Sequence, residues 1–360
     1  MGAAHLPYFL RLEVVTVSGK LNQLISTFKE LHLPAASFKG GWAIIVTSIT
    51  VAMSIFHLYF NSYGHMMSIH KRAIHLAFVL ALIFLVLPLK RGEKKFKPSF
   101  LDILLSLSGI FISMYMFIMY NEMAEGGIYP DAKDLLIASI GILVVFEACR
   151  RAAGMPLVIL SVLFLVYARF GNLVPGGFKI VPFSTQRIIY QMFYTDTAIF
   201  GLVLGVSATF IFLFILFGAF LGETKSSEFF NDLSLAIAGH RPGGPGKVAV
   251  IASMTMGTIS GSAVGNVATT GTITIPLMKR VGYTSSFAGA VEAVASSGGS
   301  LMPPIMASAA FLISEILGIS YLKVITAALV PALLYYFALW VMLDFEAKKM
   351  GLSGLPKDQC

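Results

Sequence analysis

Long apolar runs separated by polar and charged loops recur along the chain up to Leu221. They lie near Gly41–Phe60, Ala73–Leu89, Leu101–Tyr120, Leu135–Ala148, Pro156–Phe170 and Ala198–Leu221, with a further run near Tyr321–Leu343. A hydrocarbon core about 30 Å thick takes about 20 apolar residues per helical crossing. The pattern therefore predicts a series of membrane-spanning helices. The ten-residue alternation of a closed barrel, the other spanning solution, is not seen. The fold class expected is an all-α integral membrane protein, a multi-span helical bundle.

Two segments break this pattern. Val248–Met278 is 31 residues long and flanked by Lys247 and Lys279-Arg280, too long for one crossing, too short for two, and basic at both ends. A re-entrant hairpin of two half-helices satisfies all three facts, since about 13–15 residues at 1.5 Å each reach roughly 20 Å and return. Its tip would be Ser260-Gly-Ser-Ala-Val-Gly-Asn-Val-Ala-Thr-Thr-Gly271, where glycines allow unwinding and Ser, Asn and Thr supply oxygen ligands. Gly257, Gly261 and Gly265 are also spaced as a close-packing face between membrane helices. The polar residues Thr258, Ser260, Ser262, Asn266, Thr269 and Thr270 surround the helix axis instead of sharing that stripe, which a packing face does not require.

The second anomaly is Ser286–Gly318, 33 residues whose middle reads Ala295-Ser-Ser-Gly-Gly-Ser-Leu-Met-Pro-Pro304. Paired glycines and prolines interrupt a helix. A discontinuous helix frees carbonyls for cations and turns half-helix N-termini toward anions, although a plain proline kink has the same composition. Two interrupted segments in succession point to a transporter site. Glu292 lies two turns before the break, as an intramembrane ionisable group or as an interfacial carboxylate.

Composition agrees with lipid as the solvent: 57% of residues are apolar and 12% charged, against roughly a quarter charged in soluble domains. The net charge of +8 sits in loops between apolar runs, so nucleic-acid binding is not indicated. Lys90–Lys97 carries five positive charges against one negative, and Asn121–Asp134 is mostly acidic. The positive-inside rule then puts the first loop and the N-terminus in the cytoplasm, with His70, Lys71 and Arg72 as a dissenting minority. Glu223–Gly246 reads as an interfacial amphipathic arm ending in a Pro-Gly hinge. Cys149 and Cys360 have no disulfide or zinc spacing, and the histidines have no metal-ligand spacing; His70 and His75 read as interfacial. No cleavable signal peptide is evident in the first forty residues.

The domain organisation expected is a cytoplasmic segment (1–40), a four-helix scaffold (41–150), connecting helices (151–222), the interfacial arm (223–247), a transport-type region (248–345) and a polar tail (346–360).

Pro242-Gly-Gly-Pro-Gly-Lys-Val-Ala-Val250, Gly257-Thr-Ile-Ser-Gly-Ser-Ala-Val264, Thr269-Thr-Gly-Thr-Ile-Thr-Ile-Pro-Leu-Met-Lys-Arg280, Phe287-Ala-Gly-Ala-Val-Glu-Ala293 and Gly298-Gly-Ser-Leu-Met-Pro-Pro304 closely resemble the tripartite ATP-independent periplasmic (TRAP) transporters. The resemblance is to permeases with fused small and large membrane subunits, and extends loosely to Gly201–Gly222 and to Glu147-Ala-Cys-Arg-Arg151. It implies a bacterial or archaeal inner-membrane protein that receives an organic anion, commonly a carboxylate, from a periplasmic solute-binding protein of the TAXI subgroup. It also implies no cofactor beyond a coupling ion, Na+ or alternatively H+.

On that carry-over, Ser260, Ser262, Asn266, Ser297, Gly298 and Gly299 would bind sodium. Thr269, Thr270, Ser296, Ser300 and Pro303 would line the solute site, and Glu292 is the candidate ionisable coupling residue. The family also carries a second, inverted hairpin and broken helix, of which this sequence shows one copy. A fragment, or a second polypeptide supplying the other half, is therefore expected. The rivals are a structural subunit and an intramembrane hydrolase, and the latter lacks a His or Lys base near Ser260, Ser262 or Ser297 in sequence.

Overall fold

The computed structural model describes residues 38, 41–90, 95, 97–126, 131–224 and 226–356. The expected N-terminal segment, apart from Phe38, and the last four residues of the tail lie outside these. The described residues form helices joined by turns, and six of the helices are long and apolar enough to cross a membrane: Gly41–Ser62, Ser68–Val86, Phe100–Glu122, Met155–Leu173, Leu202–Leu221 and Tyr321–Lys349. The chain is a multi-pass helical membrane protein. It divides into two compact units, Met1–Gly205 and Val206–Cys360. The first unit thus takes in the first four expected helices together with residues 151–205.

The first unit contains α1 (Gly41–Ser62), α2 (Ser68–Val86), α3 (Phe100–Gly126), α4 (Ala132–Ala152), α5 (Met155–Phe170) and α6 (Thr185–Phe193). Leu80, Phe84, Ile112, Met116, Ala138, Phe193 and Phe200 form its core. Gly109 and Gly141 let neighbours in closely: a Cβ on either would lie 2.7 Å from Leu80 Cβ or 2.4 Å from Phe193 Cε2. Helix α4 begins with a capping box, Asp131 accepting from the Asp134 N–H and Asp134 from the Asp131 N–H, and ends in Arg150 and Arg151, which suit the negative end of its dipole. It is 21 residues long, but its charged ends keep it out of the six apolar spans, where sequence reading placed a fourth crossing. Helix α1 turns most of its apolar residues outward, burying Met53 and His57, as a lipid-facing helix does.

The second unit contains α7 (Phe212–Glu223), α8 (Ser226–Ala238), α9 (Gly244–Ser260), α10 (Ala263–Arg280), α11 (Ser285–Gly298), α12 (Ser308–Leu317) and α13 (Tyr321–Lys349). A π-turn at Ser207–Ile211 precedes α7. Ala249, Val250, Met278, Ala288, Val291, Ala295, Tyr336, Leu339 and Leu343 form the core where α9, α10, α11 and α13 meet. Phe210, Phe311 and Tyr321 stack beside a smaller cluster of Met306, Ala310 and Val324.

The expected hairpin is α9 and α10. Its arms are 17 and 18 residues, about 26 Å each, longer than the half-helices expected. The first starts at Gly244 because Pro245, in its first turn, is preset for a helix start. Lys247, the basic residue at the first flank, is 2% exposed, held by Asp344 of α13 at 2.5 Å. The expected break separates α11 from α12, with nine non-α residues between Gly298 and Ser308. Helix α13 runs on to Lys349, so the last helix takes in the first residues of the expected tail. The tail also packs back, with the Leu355 N–H donating to Gly239 O at 2.8 Å.

Candidate functional site

The hairpin reverses at Gly261, whose φ of +57° is readily adopted by glycine. Ser262 then caps α10, accepting from the Gly265 N–H at 3.1 Å. The glycines of the first arm are aimed at the broken helix. A Cβ on Gly257 would lie 2.4 Å from Gly299 Cα, one on Gly261 would lie 2.0 Å from Met306 O, and one on Gly299 would lie 2.8 Å from Asn266 Nδ2. The two interrupted segments therefore meet, backbone against backbone. Close packing and polar function are both served: the glycine stripe makes the approach and Asn266 lies inside it.

Asn266 is fully buried. Its Nδ2 donates to Ser253 O on the other arm at 2.8 Å, and its Oδ1 has no hydrogen-bond partner among the described residues. A buried acceptor left unsatisfied costs about 1–3 kcal/mol, so this oxygen is a natural ligand position.

Beside it lies a second polar centre. Glu292 of α11 is 0% exposed and accepts from four hydroxyls: Thr270 at 2.5 Å, Ser296 at 2.9 Å and Ser253 at 3.2 Å on Oε1, and Thr274 at 2.5 Å on Oε2. Gly271 admits the carboxylate, since a Cβ there would lie 3.0 Å from Glu292 Cγ.

Asn266, Thr270, Ser296, Glu292, Gly298 and Gly299 are thus drawn together. The remaining candidates sit around them with local partners. Ser260 Oγ accepts from the Ser262 N–H, Thr269 donates to Gly265 O and Asn266 O, Ser297 donates to Ala293 O and Ser300 donates to Ser297 O. Ser262, Thr269 and Ser297 are exposed and Pro303 is buried, joined to Pro304 by a cis bond. The break does not strip its carbonyls bare, as the sequence suggested. Ser296 O through Gly299 O each accept from the N–H three residues on, and Tyr321 donates to Pro304 O and Ile305 O.

Sequence reasoning missed Ser253 and Thr274. Thr274 had a signal in its spacing, since Asn266, Thr270 and Thr274 recur every four residues on one face of a helix; Ser253, on the other arm, had none.

Two polar clusters lie in the first unit. Asp102 binds Lys95 at 2.8 Å and Arg151 at 2.6 Å, and Arg151 also binds Glu147 at 2.8 Å. Lys95 donates to Phe84 O in the last turn of α2 and to Leu87 O just beyond it. Burial pushes its ammonium below the ordinary lysine value while Asp102 opposes the shift. His75 is buried, its Nδ1 2.8 Å from Nε2 of buried His57. Its partner on α1 was invisible to local spacing. Among the described residues no three His, Cys, Asp or Glu side chains group as a metal site.

Comparison with known proteins matches residues 140–360 to the family described as the tripartite ATP-independent periplasmic transporter, DctM component. The chain is 31% identical over 145 residues to the 2,3-diketo-L-gulonate TRAP transporter large permease protein YiaN of Escherichia coli, covering 40% of this chain and 33% of that one. It is 31% identical over 144 residues to the sialic acid TRAP transporter large permease protein SiaM of Vibrio cholerae, covering 40% and 33%. To the isethionate TRAP transporter permease protein DctMQ of Oleidesulfovibrio alaskensis it is 32% identical over 146 residues, covering 41% and 23%. The aligned part therefore spans about a third or less of the length of these relatives.

Proposed function

Because the chain belongs to the DctM component family of tripartite ATP-independent periplasmic transporters, we propose that it is the part of an inner-membrane secondary permease that holds a coupling cation beside the path of an organic anion. A periplasmic solute-binding protein of the TAXI type delivers the solute, and a sodium gradient drives its uptake. The Lys90–Lys97 side faces the cytoplasm. The hairpin α9–α10 is re-entrant, with its tip in the membrane interior.

The observation that carries this reading is the contact of the hairpin with the broken helix at Gly257 and Gly299, beside Asn266 and its unpartnered Oδ1. Irregular backbone at membrane depth persists where protein buries it or where it lines a watery cavity. Here it supplies oxygens from Asn266, Ser260, Ser262 and Ser297, and backbone from Gly298 and Gly299, to a small dehydrated cation. Thr269, Thr270, Ser296, Ser300 and Pro303 lie on the same two segments, where the solute's carboxylate is held close to the cation. Relatives carry the names C4-dicarboxylate, sialic acid, 2,3-diketo-L-gulonate and isethionate transporter, which supports an organic anion as the solute class.

Single cysteines at Ser262 and Ser297, in a chain with Cys149 and Cys360 replaced, test the reading. In proteoliposomes, sodium but not potassium is expected to slow their modification by a hydrophilic thiol reagent several-fold. Equal rates in both salts at both positions would overturn it.

A further inference from the structure

Glu292 belongs to neither an ion pair nor the backbone of the break. It has no cationic partner among the described residues: Lys247 of α9 is taken by Asp344, and Lys279 and Arg280 are exposed at the far end of α10. The titratable groups packed nearest are Tyr335 and Tyr336 of α13, whose hydroxyls donate to Val294 O at 2.7 Å and Ala295 O at 3.0 Å. Helices α9 and α10 turn only neutral groups to the carboxyl: Ser253, Thr270 and Thr274.

A carboxylate offers about four lone-pair positions, two on each oxygen; three hydroxyls donate to Oε1 and one, from Thr274, to Oε2. The hydroxyls have a second set of partners. Thr270 Oγ1 is also 2.8 Å from Asn266 O, and Thr274 Oγ1 is also 3.0 Å from Thr270 O. Ser253 Oγ is 3.3 Å from Thr270 Oγ1 and 3.4 Å from Ser296 Oγ. With Glu292 ionised, all four hydroxyl protons point at it. With Glu292 protonated, the Thr274 proton swings to Thr270 O and its freed oxygen accepts the carboxyl proton, while Thr270 turns to Asn266 O. Either state is satisfied by rotating hydroxyl hydrogens alone, with no side chain moving.

We propose that Glu292 is a proton-exchange site, distinct from the cation position at Asn266, that takes up and releases a proton as the hairpin works. A buried carboxylate needs its charge neutralised or fully solvated by fixed dipoles. This cage does either, and Oε2, with a single hydroxyl on it, keeps a lone pair for the proton. The Asn266 amide, bonded to Ser253 O, links the proton site to the break. The inference rests on the permease reading for its purpose, but not for its measurement.

The test is pH-dependent infrared difference spectroscopy of the full chain in lipid, with Glu292→Gln and Thr274→Val. Acidification is expected to raise a protonated-carboxyl C=O band that vanishes in Glu292→Gln and moves in frequency in Thr274→Val, where one cage hydroxyl is gone. A Glu292→Gln spectrum superimposable on the unaltered chain would overturn the proposal, and so would a band indifferent to Thr274→Val. If Glu292→Gln does not fold, 13C-labelled glutamate with Thr274→Val decides alone: a labelled band that moves supports the site, and none overturns it. The band present without sodium protection at Ser262 and Ser297 would leave the proton site standing and remove the permease reading. Protection without the band would do the reverse.

Discussion

Gly257 and Gly299 touch so closely that a Cβ on the first would fall 2.4 Å from the Cα of the second, and one on the second 3.0 Å from the Cα of the first. Backbone opposes backbone here, so neither side can yield by turning a side chain. Gly257→Ala and Gly299→Ala are each expected to cost about 1–3 kcal/mol through overpacking and to weaken sodium protection at Ser262. Gly289, inside α11 with nothing within 4 Å of its built Cβ, is the control. Gly289→Ala is expected to be neutral or to stabilise by up to about 1 kcal/mol, measured by thermal unfolding in detergent.

Asp102 holds two buried cations, Lys95 and Arg151. Removing one partner from a buried cluster strands the others, at about 3–5 kcal/mol. Asp102→Ala is expected to destabilise the chain by that order, whereas Arg150→Ala, at the partly exposed edge of the cluster, is expected to cost about 0–1 kcal/mol. Equal losses in melting experiments would show that the cluster is not the buried unit described.

Lys247 and Asp344 are bound to each other but not equally dependent. Asp344 also holds Lys348 at 2.7 Å, while Lys247 is enclosed and lies 5.3 Å from the Trp340 ring. Asp344→Ala is therefore expected to lower the melting temperature more than Lys247→Met, which removes the buried charge and keeps an apolar stem. The reverse order in a thermal scan would contradict this.

The breaks were legible in the sequence because glycine and proline act locally: Gly261 turns the hairpin, and the Gly298-Gly299 and Pro303-Pro304 pairs interrupt the helix whatever lies around them. Apolar length likewise marked most of the crossings. Partnerships between helices were not legible. Ser253 and Thr274 look like ordinary helix hydroxyls until Glu292 is seen between them, and Lys247 resembles a loop charge until Asp344, 97 residues away, is folded beside it. His57 and His75 meet across two helices, and no local periodicity encodes that.

The central claim is that the hairpin and the broken helix jointly bind a small cation through Asn266. Anything that binds the folded state stabilises it by RT ln(1 + [L]/Kd), so the most direct measurement is the melting temperature of the purified chain against sodium, with potassium at equal ionic strength as reference. The account predicts a rise with sodium alone that is lost in Asn266→Leu. Identical curves in the two salts, or a sodium response that survives Asn266→Leu, would contradict it.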